Sequence, residues 1–403
     1  MGIRTSKQVE VDDFLEVFGE ENKRRHVSRA DFKIIRQISN QTGKSKLFQV
    51  ESLKDQQPYF MKQLSKFEIY DQREIERVHR ELSICSLLMN TKYVVNLHYA
   101  FQDLNYLYLI HDYKNGPNLT QLLKNMKVNR VQIEEAHAQF IFSYLLLGLE
   151  YLHKNNIIVL GLRPENILFD DEGYPCISGF QHAIIENQRN NNRQYDFIQS
   201  QEDDDIVNDD LITPYLAPEV FLKQKPSFEA DFYSLGMVLY EIITGERAFY
   251  NNLNGATLKK EEERQELIKF ILQQKTQILK AELREELDPT SADLVNKLIL
   301  KKPENRTGFY GIEDIKKHGW LKNFPWQKIQ DRFIKKYGLK KQNSALAQKT
   351  INQNVSDLLS QQNQDIVNTI QFQEKFERFY YSSDDPNDFY YKSRIEHEKI
   401  IKK

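Results

Sequence analysis

Apolar side chains change their spacing twice along this chain, and the changes divide it into segments. Over residues 9–22, Val11, Phe14, Leu15 and Phe18 fall at i, i+3, i+4 and i+7, the stripe of an amphipathic helix. Asp12 and Asp13 sit in its first turn, where the helix dipole favours acids. From residue 32 the period shortens. Segments 32–38, 46–51, 59–64, 96–101 and 106–113 are short, rich in aromatic and branched residues, and predict strands, with one helix over 70–88 among them. From residue 119 the helical period returns over 119–126, 134–154, 233–244, 261–274, 291–300 and 312–318. The pattern predicts a β-rich small lobe followed by an α-rich large lobe. Residues 341–373 are rich in Gln and Asn with no Pro or Gly, and predict an extended or disordered tether, with 355–359 as a candidate docked turn.

Composition changes this picture little. A chain of 403 residues, 40% hydrophobic and 28% charged, carries ample material for a core. Its net charge of −2 and pI near 6.5 give no electrostatic case for nucleic acid as principal partner. The most apolar stretch, 140–152, falls short of the roughly 18 residues a membrane span needs and contains Ser143 and Glu150, so it predicts a buried helix. Cys85 and Cys176 are far apart and each lies among apolar residues, as reduced core cysteines of a cytosolic protein do. The amino terminus is too polar for a secretory signal. It does fit the N-myristoylation pattern, Met1-Gly2-Ile3-Arg4-Thr5-Ser6, with Gly2 as acceptor; chance occurrence of so short a motif stays open beside it. One such chain would give only reversible membrane contact.

The candidate chemistry lies in a series of short motifs. In order they are Tyr59-Phe60-Met61-Lys62, Glu81 within Arg77-Val78-His79-Arg80-Glu81-Leu82, Leu107 to Tyr113 with His111, and Leu162-Arg163-Pro164-Glu165-Asn166-Ile167-Leu168. Ala217-Pro218-Glu219, Asp231-Phe232-Tyr233-Ser234-Leu235-Gly236 and Arg306 follow. Together they resemble the eukaryotic protein kinase domain. The resemblance implies an α+β, bilobal fold with a five-stranded antiparallel small lobe carrying one helix and a mainly α-helical large lobe. It also implies a nucleotide site built on Lys62, Glu81 and Asn166, with His111 at the gatekeeper position and Glu219 paired with Arg306. Phe376-Glu377-Arg378-Phe379-Tyr380-Tyr381 resembles the tail motif of the AGC kinases, whose aromatics, here Phe376, Phe379 and Tyr381, dock back on the small lobe. Tyr380 stands where many of those kinases have Ser or Thr. The amino-terminal helix, Gly2 and Asp31-Phe32-Lys33-Ile34-Ile35 add a likeness to cyclic-nucleotide-dependent kinase catalytic subunits.

Against that family pattern the groups that perform phosphoryl transfer are replaced. The glycine-rich lid reads Ile38-Ser39-Asn40-Gln41-Thr42-Gly43-Lys44, in which only Gly43 keeps the backbone freedom that close approach to phosphate requires. The catalytic loop reads Val159-Leu160-Gly161-Leu162-Arg163, so Gly161 stands at the catalytic-base position and Leu160 at the arginine that reads a phosphorylated activation segment. A general base contributes about 10²–10⁴ in rate. The metal motif reads Gly179-Phe180-Gln181, so Gly179 removes the bridging carboxylate and leaves Asn166 as a lone oxygen donor, too little for magnesium. Asp112, Asp170 and Asp171 are the acids near these motifs in sequence. Of the acids that read basic substrates in related kinases, Glu165 and Glu241 remain, while Asn118 occupies the third position; both acids are open to a structural role instead. The segment between Gly179 and Glu219 is long and acidic, with runs at 202–205 and 209–210, and reads as a solvated loop or a surface for a basic partner.

The domains expected are an amino-terminal helix extension (1–31), a kinase domain (32–323, with lobes 32–112 and 113–323) and an AGC-like tail (324–403). The function expected is that of a pseudokinase, a cytoplasmic signalling scaffold or allosteric partner for a kinase, regulatory subunit or other protein. ATP binding would be weak or magnesium-independent, and no resident metal is expected. The competing readings are a weakly active Ser/Thr kinase and a non-catalytic ATP sensor.

Overall fold

Alternation of apolar and polar residues in the first third of the chain builds an antiparallel sheet. The structure, a computed structural model, describes residues 27–41, 45–69, 71–88, 91–131, 133–186, 212–246, 261–273, 287–331, 370–376 and 379–384. The expected amino-terminal helix, Gly2, Gly43, the acidic runs of 202–210 and most of the tether lie outside these residues. The chain divides into two units, the first holding residues up to 91, 95–113 and those from 343, the second holding 92–94 and 114–342.

In the first unit, β1 (Phe32–Gln41), β2 (Ser45–Ser52), β3 (Pro58–Ser65), β4 (Leu97–Gln102) and β5 (Tyr106–Asp112) pair antiparallel in the order β1-β2-β3-β5-β4. All five lie where the aromatic and branched runs predicted them. One helix, α1 (Gln72–Leu87), is capped by Asp71, whose side chain accepts from the Arg73 amide, and buries Ile75, Val78, Leu82 and Ile84. A buried cluster of Phe32, Val50, Met61, Phe101, Tyr108 and Ile110 covers the sheet, with Phe32 stacked on Phe101 at 5.8 Å.

The expected five strands become six. Tyr381–Ser382 forms β10 and pairs antiparallel with β4, Tyr381 opposite Ala100 and Ser382 opposite Tyr99. A two-residue strand has no period to read, and only the unpaired edge of β4 creates it. The tether expectation is likewise corrected at its end: Ile370–Gln373 is a short helix, and Phe372 and Gln373 are buried. Phe376, Phe379 and Tyr381 are all fully buried in this unit, as the tail resemblance implied.

The second unit is mainly helical. α2 (Leu119–Val128) starts at an Asn118–Gln121 capping box, and α3 (Glu135–Lys154) carries the apolar run 140–152 as a buried helix. No helix among the described residues is long and apolar enough to cross a membrane. Two small ladders follow, β6 (Ile157–Ile158) with β9 (Ile184–Ile185), and β7 (Ile167–Phe169) with β8 (Pro175–Ile177). Then come α4 (Pro218–Phe221), α5 (Phe228–Thr244), α6 (Glu261–Gln273), α7 (Pro289–Leu298), α8 (Ile312–Lys316) and α9 (Trp326–Gln330). The core is α5, packed against α3 and α7. α9 packs on α3 with Ile329 fully buried, so this unit extends past the tail boundary expected at 324. Both cysteines are free and buried, and burial pushes the Cys85 thiol far above its ordinary value, so it stays protonated.

Candidate functional site

The residues that resemble a nucleotide site fall in two groups, one within each unit. In the first unit, Lys62 lies mid-strand on β3, opposite Leu47 of β2 and Leu109 of β5, and its ammonium donates to both carboxylate oxygens of Glu81 on α1, at 2.7 and 2.8 Å. Glu81 is almost fully buried while Lys62 keeps a fifth of its side chain exposed, so the pair presents one partly solvated cation held in place by a buried acid. That is a group fit for a phosphate oxygen. On β5, burial drives the His111 ring down to about 4, so it is neutral near pH 7, and its Nδ1 is buried without a hydrogen-bond partner. Asp112 accepts from the Asn96 side chain at 2.8 Å and pairs with His98 at 2.6 Å, both in its own unit.

In the second unit the loop after β6 is fixed from beneath by Asp231 of α5, which is fully buried. Its carboxylate accepts from the backbone amides of Val159 and Leu160, each at 2.9 Å, and pairs with His153 at 2.8 Å. These bonds hold Leu160 at a φ of 54°, a left-handed conformation that a branched residue rarely adopts unassisted. Leu160 itself is buried, so the loop offers no cation at that position. Asp231 thus anchors the loop, which carries Gly161 and a buried Leu160.

Gly161, Asn166 and Gly179 meet inside that frame. Asn166 is buried, and its side-chain amide donates to the Gly161 carbonyl at 2.8 Å. Gly179 adopts φ 80°, ψ 53°, the left-handed region. A Cβ placed on Gly179 would lie 2.5 Å from both Cγ and Nδ2 of Asn166, and one placed on Gly161 would lie 3.1 Å from the Gly179 carbonyl oxygen. The Asn166 amide thus fills the volume that a side chain at 179 would need. With no carboxylate at 161 or 179, these residues do not fit a magnesium ion. Of the nearby acids, Asp170 accepts from the Glu172 and Tyr174 amides in the β7–β8 turn, and Asp171 is exposed on that turn.

The scaffold positions are joined as the resemblance implied. Glu219 and Arg306 form a bidentate pair at 2.5 and 2.6 Å, both buried. Of the two candidate substrate acids, Glu241 is buried and accepts from the Tyr215 hydroxyl at 2.5 Å, while Glu165 remains partly exposed. Sequence reading missed the Tyr215–Glu241 bond and the filling role of Asn166. Two glycines flanking one asparagine were the only trace of the latter.

A protein kinase domain model matches residues 41–321. Among similar proteins, a probable serine/threonine-protein kinase of Dictyostelium discoideum is 29% identical over 75% of this chain and 59% of its own length. The cAMP-dependent protein kinase catalytic subunit of the same organism is 29% identical over 75% of this chain and 41% of its own length. Ribosomal protein S6 kinase 2 alpha of Gallus gallus is 33% identical over 61% of this chain and 29% of its own length. The chain thus spans about half the length, 59% and 41%, of the two Dictyostelium relatives. Such AGC-like relatives agree with the docked tail. With the matched model, the Lys62–Glu81 pair and the Asp231-anchored loop together, the chain belongs to the protein kinase domain family.

Proposed function

We propose that this kinase domain works by binding rather than by phosphoryl transfer, as a pseudokinase that positions a protein partner in signalling. The observation that carries the reading is the trio Gly161–Asn166–Gly179, in which no group can orient a hydroxyl or bridge a metal and the asparagine amide occupies the vacated space. Lys62 and Glu81 support retained affinity for a nucleotide triphosphate through its phosphates, without magnesium. Acylation at Gly2 and a cytoplasmic location belong to the same proposal. The second reading, a slow Ser/Thr kinase, is favoured by the intact Lys62–Glu81 pair and by the relatives, which are named as kinases.

One pair of measurements separates the two. ATP at 100 times its dissociation constant would stabilise the fold by about 2.7 kcal/mol. The expected result is a melting shift with ATP that is the same with and without magnesium and absent in Lys62→Met, together with no radiolabel transfer to basic peptides. Transfer above the Lys62→Met background, dependent on magnesium, would establish the slow kinase instead.

A further inference from the structure

A lysine is buried where the tail meets the first unit. Lys66 follows β3 in the turn Lys66–Glu68, and none of its side chain reaches solvent. Its Nζ donates to Gln102 Oε1 on β4 at 2.8 Å and to Gln373 Oε1 on the tail at 2.6 Å, and lies 5.1 Å from the Phe376 ring centroid. The two glutamines complete a reciprocal clasp: Gln373 donates to the Leu104 carbonyl at 2.9 Å, and Gln102 to the Phe376 carbonyl at 2.5 Å. The tail therefore forms part of the enclosure around Lys66, and releasing it would let water reach the amine.

We propose that the docked tail is a proton-sensitive latch, in which residues 370–376, together with the strand at Tyr381–Ser382, close over Lys66 and are loosened by protonation of that amine. The inference concerns tail docking alone and does not rest on whether phosphate is transferred.

The burial of Lys66 sets the sign. Burial drives its amine down to about 7 in the docked state, opposed by the carboxylate of Asp103 in the β4–β5 turn. From α1, His79 faces the same tail segment: its Nε2 lies 2.8 Å from the Lys375 carbonyl, and its ring stacks on Phe376 at 5.9 Å. Burial lowers His79 as well, opposed by that bond to Lys375. Lys375 on the tail is exposed, with its ammonium over the Phe372 ring; Gln102 and Gln373 do not titrate. A group whose docked pKa lies below its free value binds its proton more tightly when the tail is free. Docking is therefore strongest at high pH, weakens as pH falls from the free lysine value toward about 7, and is loosened further when His79 charges below its ordinary range.

Hydrogen exchange of the full chain, read on the 379–383 peptide and corrected for intrinsic exchange, tests the latch. The Ser383 amide, bonded to the His98 carbonyl at 2.9 Å, opens with the tail. Its protection is expected to rise close to tenfold per pH unit between about pH 7.5 and 9.5, as loss of one proton requires, while α3 peptides keep theirs. Lys66→Met, neutral and similar in length, should hold protection high and flat over that range; Lys66→Arg, charged throughout, should hold it low and flat. Flat protection in the unsubstituted chain, or an unchanged slope in Lys66→Met, overturns the proposal. Should Lys66→Met fail to fold by circular dichroism, the unsubstituted series and Lys66→Arg decide: a slope that persists in Lys66→Arg also overturns it.

Discussion

Placing an aspartate at position 179 is expected to destabilise the second unit and to leave magnesium unbound. The backbone there has φ 80°, and a left-handed conformation disfavours any L-residue by about 1–2 kcal/mol. The new Cβ would also meet Asn166 at 2.5 Å, so that amide must swing away from the Gly161 carbonyl and give up a bond worth about 1 kcal/mol. Together these amount to roughly 2–3 kcal/mol. Denaturant unfolding followed by tryptophan fluorescence reads the loss from this unit alone, because Trp320 and Trp326, the chain's two tryptophans, both lie in it. A double-mutant cycle of Gly179→Ala with Asn166→Ala divides the effect. The glycine substitution should be less damaging once Asn166 is truncated, and what remains is the backbone contribution. If Gly179→Asp instead stabilised the chain in the presence of magnesium, the inactive reading would fail at its centre.

The same geometry explains why the site was legible in part. Gly161 and Gly179 could be placed from the residues around them, because Pro164, Asn166 and Phe180 keep the family's spacing. That the intervening asparagine turns inward and fills the gap depends on a φ angle and a hydrogen bond, neither of which a sequence states. The fold behaves likewise. Long periodic segments such as 134–154 gave α3 almost to the residue, since twenty residues of helical pattern repeat the signal several times. β6 to β9 have two or three residues each, too few to show alternation, and β10 exists only because β4 offers a free edge. The start of α5 was read late: it begins at Phe228 rather than 233, because Glu229 and Asp231 in its first turn are polar and broke the apolar stripe. Asp231 is polar there for a reason that only the structure supplies, since it holds the Val159 and Leu160 amides. Lys66 was passed over because a lysine after a strand reads as a solvated end, and its enclosure is built by a segment some three hundred residues further along.

Replacing Arg306 by leucine is expected to produce the largest loss of stability of any substitution considered. Its guanidinium is fully buried and donates to both Glu219 oxygens, to Leu300 O at 2.6 Å, and to Glu229 O and Lys301 O at 3.0 Å each. It also lies 5.1 Å from the Tyr233 ring. Truncation strands a buried carboxylate, and breaking such a pair on one side destabilises by about 3–5 kcal/mol. Arg306→Lys should recover little, because one compact ammonium cannot reach both carboxylate oxygens and three carbonyls pointing in different directions. Arg306→Leu with Glu219→Leu should recover more, since the stranded charge is gone, yet not all, because the three carbonyls still lack a donor. The loss should appear in the tryptophan-reported transition of the second unit, whereas the Lys62–Glu81 pair belongs to the other unit and should not couple to it. A chain that tolerated Arg306→Leu with less than about 1 kcal/mol of loss would show the buried pair to be dispensable. The retention of Glu219, Asp231 and Arg306 beside Gly161 and Gly179 could then no longer be read as a scaffold held intact after its chemistry was removed.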